Sequence, residues 1–207
     1  MKYIIMCGGF ACQWAKPKHF FEFEGKPIVQ RTVDLLKECG VEDIAITTSP
    51  NRMDDYKIFG VDVIPYDSNH TPFVWLEAFY PTYEPVCYIF GDVIFSPEAI
   101  KTIVETETDD IEFFASAPPF AKNYSKTWAE PFAFKVQNYG RFKHCVQTAK
   151  DMDEQHVWFR RPPIAWELWQ VIKGTPPNRI CYDNYVVIND YTCDVDYEYE
   201  LNLWKTT

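Results

Sequence analysis

The fold is decided at KYIIMCGG, residues 2–9, where a short continuous apolar run stops at paired glycines. A run of this length without alternating polar residues is typical of a strand that is buried on both faces, as the central strands of parallel sheets are. Ligands of such sheets bind at the carboxyl ends of the strands. The glycines therefore also mark the place where a ligand site is expected.

Strand and helix patterns alternate from this run to residue 117, with short connections between them. Pro27 suits the first turn of a helix that Gly40 closes, and Ser96 and Pro97 suit the cap and first residue of a later one. The spacing predicts helices at residues 27–39, 73–79 and 97–105, and further strands at residues 43–48, 61–65, 86–90 and 111–117. This order predicts an α/β fold, a Rossmann-like three-layer sandwich with a mostly parallel sheet.

The second half of the sequence is less regular, because proline pairs interrupt it at residues 118–119 and 162–163. Strands are expected at residues 131–136 and 180–188, and helices at residues 139–151, 164–173 and 197–204. No repeat or long linker divides the chain, so we expect a single domain over residues 1–207.

Paired glycines followed by lysines are typical of a phosphate-binding loop. Gly8 and Gly9 leave backbone N–H groups open to phosphate oxygens, and Lys16 and Lys18 add positive charge to the loop. The same pattern also suits an ordinary strand-to-loop turn, and composition alone does not decide between the two.

Two acidic sites lie far apart in the sequence. Asp92 follows Gly91 at the end of the strand predicted at residues 86–90, where a carboxylate can bind Mg²⁺. Asp194 and Asp196 alternate in an extended segment, so both carboxylates can point to one side. A turn aspartate and a solvated acidic run are the plainer interpretations of these residues.

The charge distribution limits the class of ligand. The net charge is −10, which disfavours nucleic acid and anionic membranes as partners, because both require a broad basic surface. Residues 1–31 nevertheless carry five basic and two acidic side chains, a net charge of +3. A local basic region on an acidic protein suits a small polyanion such as a triphosphate.

Seven cysteines without a C-x-x-C pair indicate reduced thiols rather than a disulfide framework or a zinc site. The first apolar run turns to glycine at residue 8 instead of continuing as a signal peptide would, and no run is long enough to span a bilayer. We therefore expect a soluble, cytoplasmic protein.

Taken in order, these motifs resemble the sugar-nucleotidyltransferase-like superfamily. The resemblance lies in Gly8-Gly9, Pro17-Lys18 and GKPI at residues 25–28, then Gly91-Asp92 and finally DVD at residues 194–196. This superfamily includes sugar-1-phosphate nucleotidyltransferases, choline-phosphate and methylerythritol-phosphate cytidylyltransferases, and molybdenum cofactor guanylyltransferases. The resemblance covers the first hundred residues well and the last fifteen moderately.

The resemblance implies a role for each matching residue. The backbone of Cys7, Gly8 and Gly9 would contact the base and triphosphate, with Lys16 as a further contact. Lys18 would neutralise charge at the reacting phosphorus. Asp92 and Asp196 would hold Mg²⁺, with Asp194 as the fallback ligand. The catalytic set is therefore expected to be Lys18, Asp92 and Asp196.

Further substrate contacts are expected outside this set. Asn69 lies where the family's base- or sugar-contacting loop would fall, and Lys26 lies in the Gly-Lys-Pro motif that shapes the turn into the first helix. Trp128 and Glu130 could hold a quaternary ammonium such as that of phosphocholine, while aromatic rings could equally stack on a sugar 1-phosphate. Trp166 and Trp169 lie three residues apart on a predicted helix, which favours the core for them.

The resemblance implies how the chain is divided and what it does. Residues 1–117 would bind the nucleotide, residues 118–190 would form a small acceptor-side lobe, and residues 191–207 would carry the metal motif and a helix. The implied reaction transfers a nucleoside monophosphate from a triphosphate to a phosphorylated small molecule, as in nucleotide-sugar and polysaccharide biosynthesis, and releases pyrophosphate. The base, the acceptor and the oligomeric state stay open, with a homodimer among the outcomes.

One departure from the family pattern keeps two other functions open. The family loop usually reads G-x-G-x-R, whereas Ala11 and Gln13 stand in the corresponding part of this chain. Gln cannot fully replace the charge-assisted hydrogen bonds of arginine. A non-catalytic nucleotide-binding relative is therefore one alternative, and a nucleotide-sugar-dependent glycosyltransferase of related fold is another.

Overall fold

The computed structural model describes residues 1–8, 17–68, 70–117, 129–157, 162–175 and 181–196. Eleven strands are found in this part of the chain: β1 Lys2–Met6, β2 Glu22–Phe23, β3 Lys26–Pro27, β4 Ile44–Thr48, β5 Asp62–Pro65, β6 Val86–Phe90, β7 Val93–Ile94, β8 Ile111–Ser116, β9 Pro131–Val136, β10 Val186–Ile188 and β11 Cys193–Asp194. The same residues contain six α-helices: α1 Ile28–Glu38, α2 Met53–Tyr56, α3 Val74–Glu77, α4 Pro97–Glu105, α5 Tyr139–Glu154 and α6 Ala165–Lys173.

Seven strands form one sheet in the order β10-β8-β9-β6-β1-β4-β5. All neighbours are parallel except β9, which runs antiparallel to β6 and β8. Every residue of β4 and of β6 is buried, so helices and loops cover both faces of the sheet. These features confirm the α/β fold with a mostly parallel sheet.

Residues 131–136 fall in the expected acceptor-side lobe, and that functional assignment stays a prediction. As strand β9 they lie inside the main sheet, between β8 and β6. Phe134 provides the reason, because its ring stacks on Phe113 of β8 with 4.4 Å between centroids and also contacts Phe79 and Phe142. The aromatic core thus holds β9 between β8 and β6, and β9 and β10 share the sheet with the strands of residues 1–117.

A tight hairpin accounts for the Gly-Lys-Pro motif. β2 and β3 pair through Phe23 and Lys26, and Glu24 and Gly25 between them both have positive φ, at 53° and 76°. Two such residues form the turn that two-residue hairpins prefer, and Gly adopts this conformation without steric cost. The hairpin leads directly into α1, so the motif shapes the approach to that helix.

Helix α4 begins as its sequence predicts. Ser96 accepts a hydrogen bond from the Ala99 N–H at 2.9 Å, and Pro97 is the first helical residue. The Lys135 ammonium, on β9, closes the other end by donating to three carbonyl oxygens of residues 103, 104 and 106. These carbonyls are among the groups that a helix end leaves unpaired, which explains why a lysine is buried there.

Close packing at Gly91 brings the ends of β1 and β6 together. A Cβ atom at this residue would lie 2.5 Å from Cys7 Sγ and 2.6 Å from the Met6 carbonyl oxygen. We therefore expect Gly91→Ala to lower the free energy of unfolding by about 1–3 kcal/mol through overpacking. Gly140→Ala is the control, since its nearest neighbour would be 3.7 Å away. Chemical denaturation measures both variants, and equal stabilities would contradict this account of Gly91.

Candidate active site

A cleft of about 220 Å³ opens at the carboxyl ends of β1, β4 and β6. Its walls combine two charged side chains with hydroxyl-bearing and apolar ones. The lining residues are Met6, Gly8, Lys18, Thr47, Tyr66, Ser68, Val74, Trp75, Ala78, Phe90 and Asp92. This is the edge of the sheet at which α/β proteins bind ligands.

Lys18 lies at the mouth of this cleft on a short 3₁₀-helix, Lys18–Phe20. The helix is anchored from the other side, where the Phe20 ring packs on Tyr56 with 4.8 Å between centroids. The Lys18 ammonium forms an ion pair with the Asp92 carboxylate and donates to the Val195 carbonyl oxygen at 3.2 Å. One lysine therefore joins three segments that are remote in sequence.

The carboxylates around Lys18 hold it in the charged form. Burial alone disfavours the ammonium, but Asp92 and then Asp194 and Asp196 outweigh that effect, so the pKa of Lys18 lies above its ordinary value. Burial likewise raises the pKa of Asp92, but Lys18 and then His19 outweigh it and the net pKa is lowered. Lys18 and Asp92 thus stabilise each other's charged form, and Asp194 and Asp196 add to the negative potential at the ammonium.

The acidic segment is held beside Asp92 by main-chain pairing. β11 runs antiparallel to β7, with Asp194 opposite Val93, and the Val195 N–H donates to the Asp92 carbonyl oxygen at 3.0 Å. On its other side, the Asp194 N–H donates to Glu130 Oε2 at 3.1 Å. The two acidic sites predicted from the sequence are therefore brought together in one place.

A buried polar network supports the helix that carries Lys18. His19 is almost completely buried, and its Nδ1 lies 2.9 Å from the Tyr56 hydroxyl, which also bonds to Thr48. Burial lowers the pKa of His19 to about 4, so its ring is neutral. The network links the Lys18 helix to the end of β4 without adding a second charge.

Removing the Tyr56 hydroxyl tests this support. Tyr56→Phe leaves a buried ring nitrogen of His19 without its hydroxyl partner, which is expected to lower the free energy of unfolding by about 1–3 kcal/mol. Tyr83→Phe is the matched control, because Tyr83 is 94% exposed. Denaturant titration of both variants measures the difference, and a Tyr56→Phe protein as stable as the control would show that the network contributes nothing.

Three of the expected contacts have other partners or surroundings in the structure. The Cys7 N–H donates to the Thr47 carbonyl oxygen at 2.8 Å, so it continues the sheet, and Gly8 lines the cleft instead. Lys26 pairs with Asp34 on α1 at 2.7 Å, with its side chain 58% exposed. Glu130 is completely buried.

Other expected residues lie outside the described part of the chain: Gly9, Lys16, Asn69 and Trp128. The helix expected at residues 197–204 and the altered loop residues Ala11 and Gln13 also lie outside it. Trp166 and Trp169 are both 5% exposed, which confirms the core position favoured for them.

Sequence reasoning missed one wall of the cleft. Thr47 is the penultimate residue of β4, and Tyr66 directly follows β5. Ser68 lies in the connection after β5, and Trp75 lies on α3. Trp75 lies within the helix expected at residues 73–79, and its ring contacts Phe90 edge to face at 5.0 Å while lining the cleft. The rule that ligands meet the carboxyl ends of parallel strands could have identified Thr47 and Tyr66.

The acidic residues near Lys18 are the candidates to hold a magnesium ion. Carboxylate oxygens of Asp92, Asp194 and Asp196 act on one cation, the Lys18 ammonium. Within the described ranges, no three His, Cys, Asp or Glu side chains converge into a complete metal cage. Mg²⁺ is usually held by one or two carboxylates together with substrate phosphates and water, so an open carboxylate pair suits it.

An α/β sheet with a lysine and several carboxylates at its carboxyl edge defines a protein that handles phosphates. Comparison with known families identifies which one: residues 3–159 match the MobA-like NTP transferase domain. The chain belongs to the MobA-like NTP transferase family and is a nucleotidyltransferase.

Individual relatives agree with this assignment. The chain is 23% identical to a probable molybdenum cofactor guanylyltransferase of Pyrococcus horikoshii, over 78% of this chain and 88% of that protein. It has the fold of the inositol-1-phosphate CTP transferase of T. maritima, with a TM-score of 0.61, 16% identity and coverage of 99% and 93% of the two chains. The corresponding values for 4-diphosphocytidyl-2C-methyl-D-erythritol synthase of Anaerococcus prevotii are 0.59, 12%, 98% and 94%.

The described residues include six cysteines, at positions 7, 39, 87, 145, 181 and 193, and no disulfide bond joins any two of them. No helix in the described segments has the length and apolar character that crossing a bilayer requires.

Proposed function

We propose that this protein transfers a nucleoside monophosphate from a nucleoside triphosphate to a phosphorylated small molecule, with Mg²⁺ and with release of pyrophosphate. The observation that carries the proposal is the convergence of Lys18, Asp92 and the acidic segment at residues 194–196 beside Gly8. An ammonium flanked by carboxylates at a glycine-lined cleft can bind a triphosphate together with its metal ion.

The cleft offers separate surroundings to the two ends of a nucleotide. Val74, Trp75 and Phe90 give it an apolar side, with the Ser68 hydroxyl among them, and a nucleobase fits there by stacking and hydrogen bonding. Gly8, Lys18 and Asp92 line the polar side. We place the triphosphate there, with its α-phosphorus near the Lys18 ammonium.

The reaction follows from this placement. An oxygen of the acceptor phosphate attacks the α-phosphorus, the bond to the β-phosphate oxygen breaks, and pyrophosphate leaves. Because the attacking oxygen is already anionic, no general base is required. Lys18 neutralises charge that builds on the α-phosphate oxygens, and its fixed position between Asp92 and the Val195 carbonyl holds it there without reorganisation.

Asp92 and Asp196, with Asp194 as the alternative, would hold the metal ion. When bound, Mg²⁺ would polarise the phosphate oxygens and help to orient them. The hydrogen bond from the Val195 N–H to the Asp92 carbonyl oxygen fixes the backbone of residues 194–196 beside Asp92. Both carboxylates therefore belong to one rigid unit.

The proposed class of acceptor is based on the acceptor of a structural relative. A phosphorylated alcohol is the acceptor named for the T. maritima protein, an inositol 1-phosphate. A sugar 1-phosphate or a phosphocholine-like molecule fits the same reaction here, and the nucleotide-activated product would serve polysaccharide or nucleotide-sugar synthesis. We propose a cytoplasmic site of action, where nucleoside triphosphates are available.

Pyrophosphate release tests the proposal. Purified protein is incubated with Mg²⁺, one of CTP, UTP, GTP, ATP or dTTP, and one of a panel of sugar 1-phosphates, inositol 1-phosphate, phosphocholine and polyol phosphates. We expect one pair of substrates to release pyrophosphate, and no release when the acceptor is omitted.

The same panel separates the alternatives. Hydrolysis or transfer from nucleotide sugars, with no consumption of any triphosphate, would instead identify a glycosyltransferase. Thermal stabilisation by a triphosphate without turnover of any pair would identify the non-catalytic relative that Ala11 and Gln13 suggest. A protein that neither binds nor consumes a triphosphate would contradict the proposed function.

A further inference from the structure

Glu130 is a buried carboxylate that the proposed reaction does not use. It precedes β9 and has no exposed surface. A carboxylate in such a position requires compensation by hydrogen bonds or charge, because burial removes its hydration. The hydrogen bonds of Glu130 therefore indicate its role.

The backbone of Glu130 is fixed by a single neighbour on β8. The Glu130 N–H donates to the Ser116 hydroxyl oxygen at 2.8 Å, and the Ser116 N–H donates to the Glu130 carbonyl oxygen at 2.9 Å. The Tyr185 hydroxyl then donates to the Ser116 carbonyl oxygen at 2.9 Å. The backbone of Glu130 is thus anchored to strand β8 of the main sheet.

From this point its side chain reaches the acidic segment. Glu130 Oε2 accepts the backbone N–H of Asp194 at 3.1 Å, one residue before the Val195 N–H that pairs with the Asp92 carbonyl oxygen. β11 is a strand of only two residues, paired with β7, which is also of two residues. Two such short strands have few hydrogen bonds of their own, so the Glu130 acceptor on the opposite side adds substantially to their fixation.

We propose that Glu130 is a positioning residue that acts through Asp194 and sets the metal affinity of the site. The inference rests on the proposed function, since it assigns Glu130 to the support of the same metal site. Glu130 does not touch the substrate in this account. It fixes the main chain that carries Asp194 and Asp196, and thereby the positions of both carboxylates.

Residues that hydrogen-bond to metal ligands, without binding the metal themselves, affect metal affinity. Removing a hydrogen-bond partner of a ligand typically costs about 10- to 100-fold in metal affinity or activity. Glu130→Gln keeps the size of the side chain but replaces one carboxyl oxygen with an amide NH₂ group, which cannot accept the Asp194 N–H, and Glu130→Met removes the acceptor altogether. We expect the affinity for Mn²⁺ to fall by about tenfold in this variant, and further in Glu130→Met.

A second buried carboxylate provides the matched control. Glu167 is 8% exposed and accepts the backbone N–H of Ile164 through Oε2 at 3.0 Å, at the start of α6. Glu167→Gln makes the same chemical change to the same kind of contact. Because that contact caps a helix, we expect Glu167→Gln to leave the affinity for Mn²⁺ unchanged.

The measurement is Mn²⁺ binding by electron paramagnetic resonance, with a non-hydrolysable triphosphate present, in the wild type, Glu130→Gln, Glu130→Met and Glu167→Gln. Circular dichroism establishes that each variant is folded at the temperature used. The Mg²⁺ dependence of turnover is a second readout, and excess Mg²⁺ should restore the kcat of Glu130→Gln.

Weaker Mn²⁺ binding in both Glu130 variants, with Glu167→Gln equal to the wild type, is the expected result. Wild-type affinity in folded Glu130→Gln and Glu130→Met would overturn the assignment and leave the proposed function intact. Absence of Mn²⁺ binding in the wild type would instead overturn the metal site, and with it both proposals.

Discussion

Asp92→Asn is expected to reduce kcat by about 10³-fold, equivalent to about 4 kcal/mol of transition-state stabilisation. The variant removes the charge that pairs with Lys18 and that would hold the metal ion, while the Asp92 backbone oxygen can still accept the Val195 N–H. The ion pair is partly exposed, so the free energy of unfolding should change by no more than about 1 kcal/mol. Pyrophosphate release and denaturant titration measure the two effects.

Asp34→Asn is a closely matched control for this variant. Asp34 also pairs with a lysine, and its side chain is 29% exposed compared with 28% for Asp92. It lies on the outer surface of α1, so its loss should leave kcat unchanged. Equal loss of activity in the two variants would show that acidic charge anywhere near the nucleotide-side half suffices, and would contradict the role of Asp92.

Lys18→Met is expected to reduce kcat by about 10²- to 10³-fold, because it removes the single ammonium placed at the α-phosphate in our account. It also leaves Asp92, Asp194 and Asp196 without the cation that they surround. Lys18→Arg restores the charge but not the compact geometry of an ammonium, so we expect it to recover only part of the rate.

Lys2→Met is the control for Lys18, because Lys2 pairs with Asp43 at 2.9 Å at the far end of β1. Steady-state kinetics on the three lysine variants separate the effects on kcat and KM. If Lys18→Met raised KM and left kcat unchanged, Lys18 would bind the ground state only. The proposed stabilisation of the transition state would then be wrong.

The sequence was informative where one local rule determined one local feature. The apolar runs at β1 and β6 and the residues that follow them placed Gly8 and Asp92 at the same sheet edge. Ser96 and Pro97 fixed the start of α4 to the residue. The resemblance to a known family then assigned roles to Lys18 and to the acidic segment at residues 194–196, which lie beside Asp92 in the structure.

The sequence was uninformative where long-range packing decides. A continuous apolar run does not state its direction, so the antiparallel insertion of β9 between β6 and β8 could not be predicted from its residues. Nothing in the helical spacing of residues 73–79 singles out Trp75, yet it lines the cleft. Glu130 stands close to Trp128 in the sequence and suggested an acceptor contact, whereas its contacts with Ser116 and Asp194 bury it.

The fate of the α-phosphorus tests the central claim most directly. The protein is incubated with Mg²⁺, the acceptor panel and each triphosphate labelled with ³²P either at the α- or at the γ-position, and the products are separated by chromatography. We predict that the α-label moves into a new phosphatase-resistant product while the γ-label appears in pyrophosphate, and that Asp92→Asn suppresses both. Transfer of the γ-label to the acceptor, or its release as inorganic phosphate with the α-label left in nucleoside diphosphate, would contradict the account.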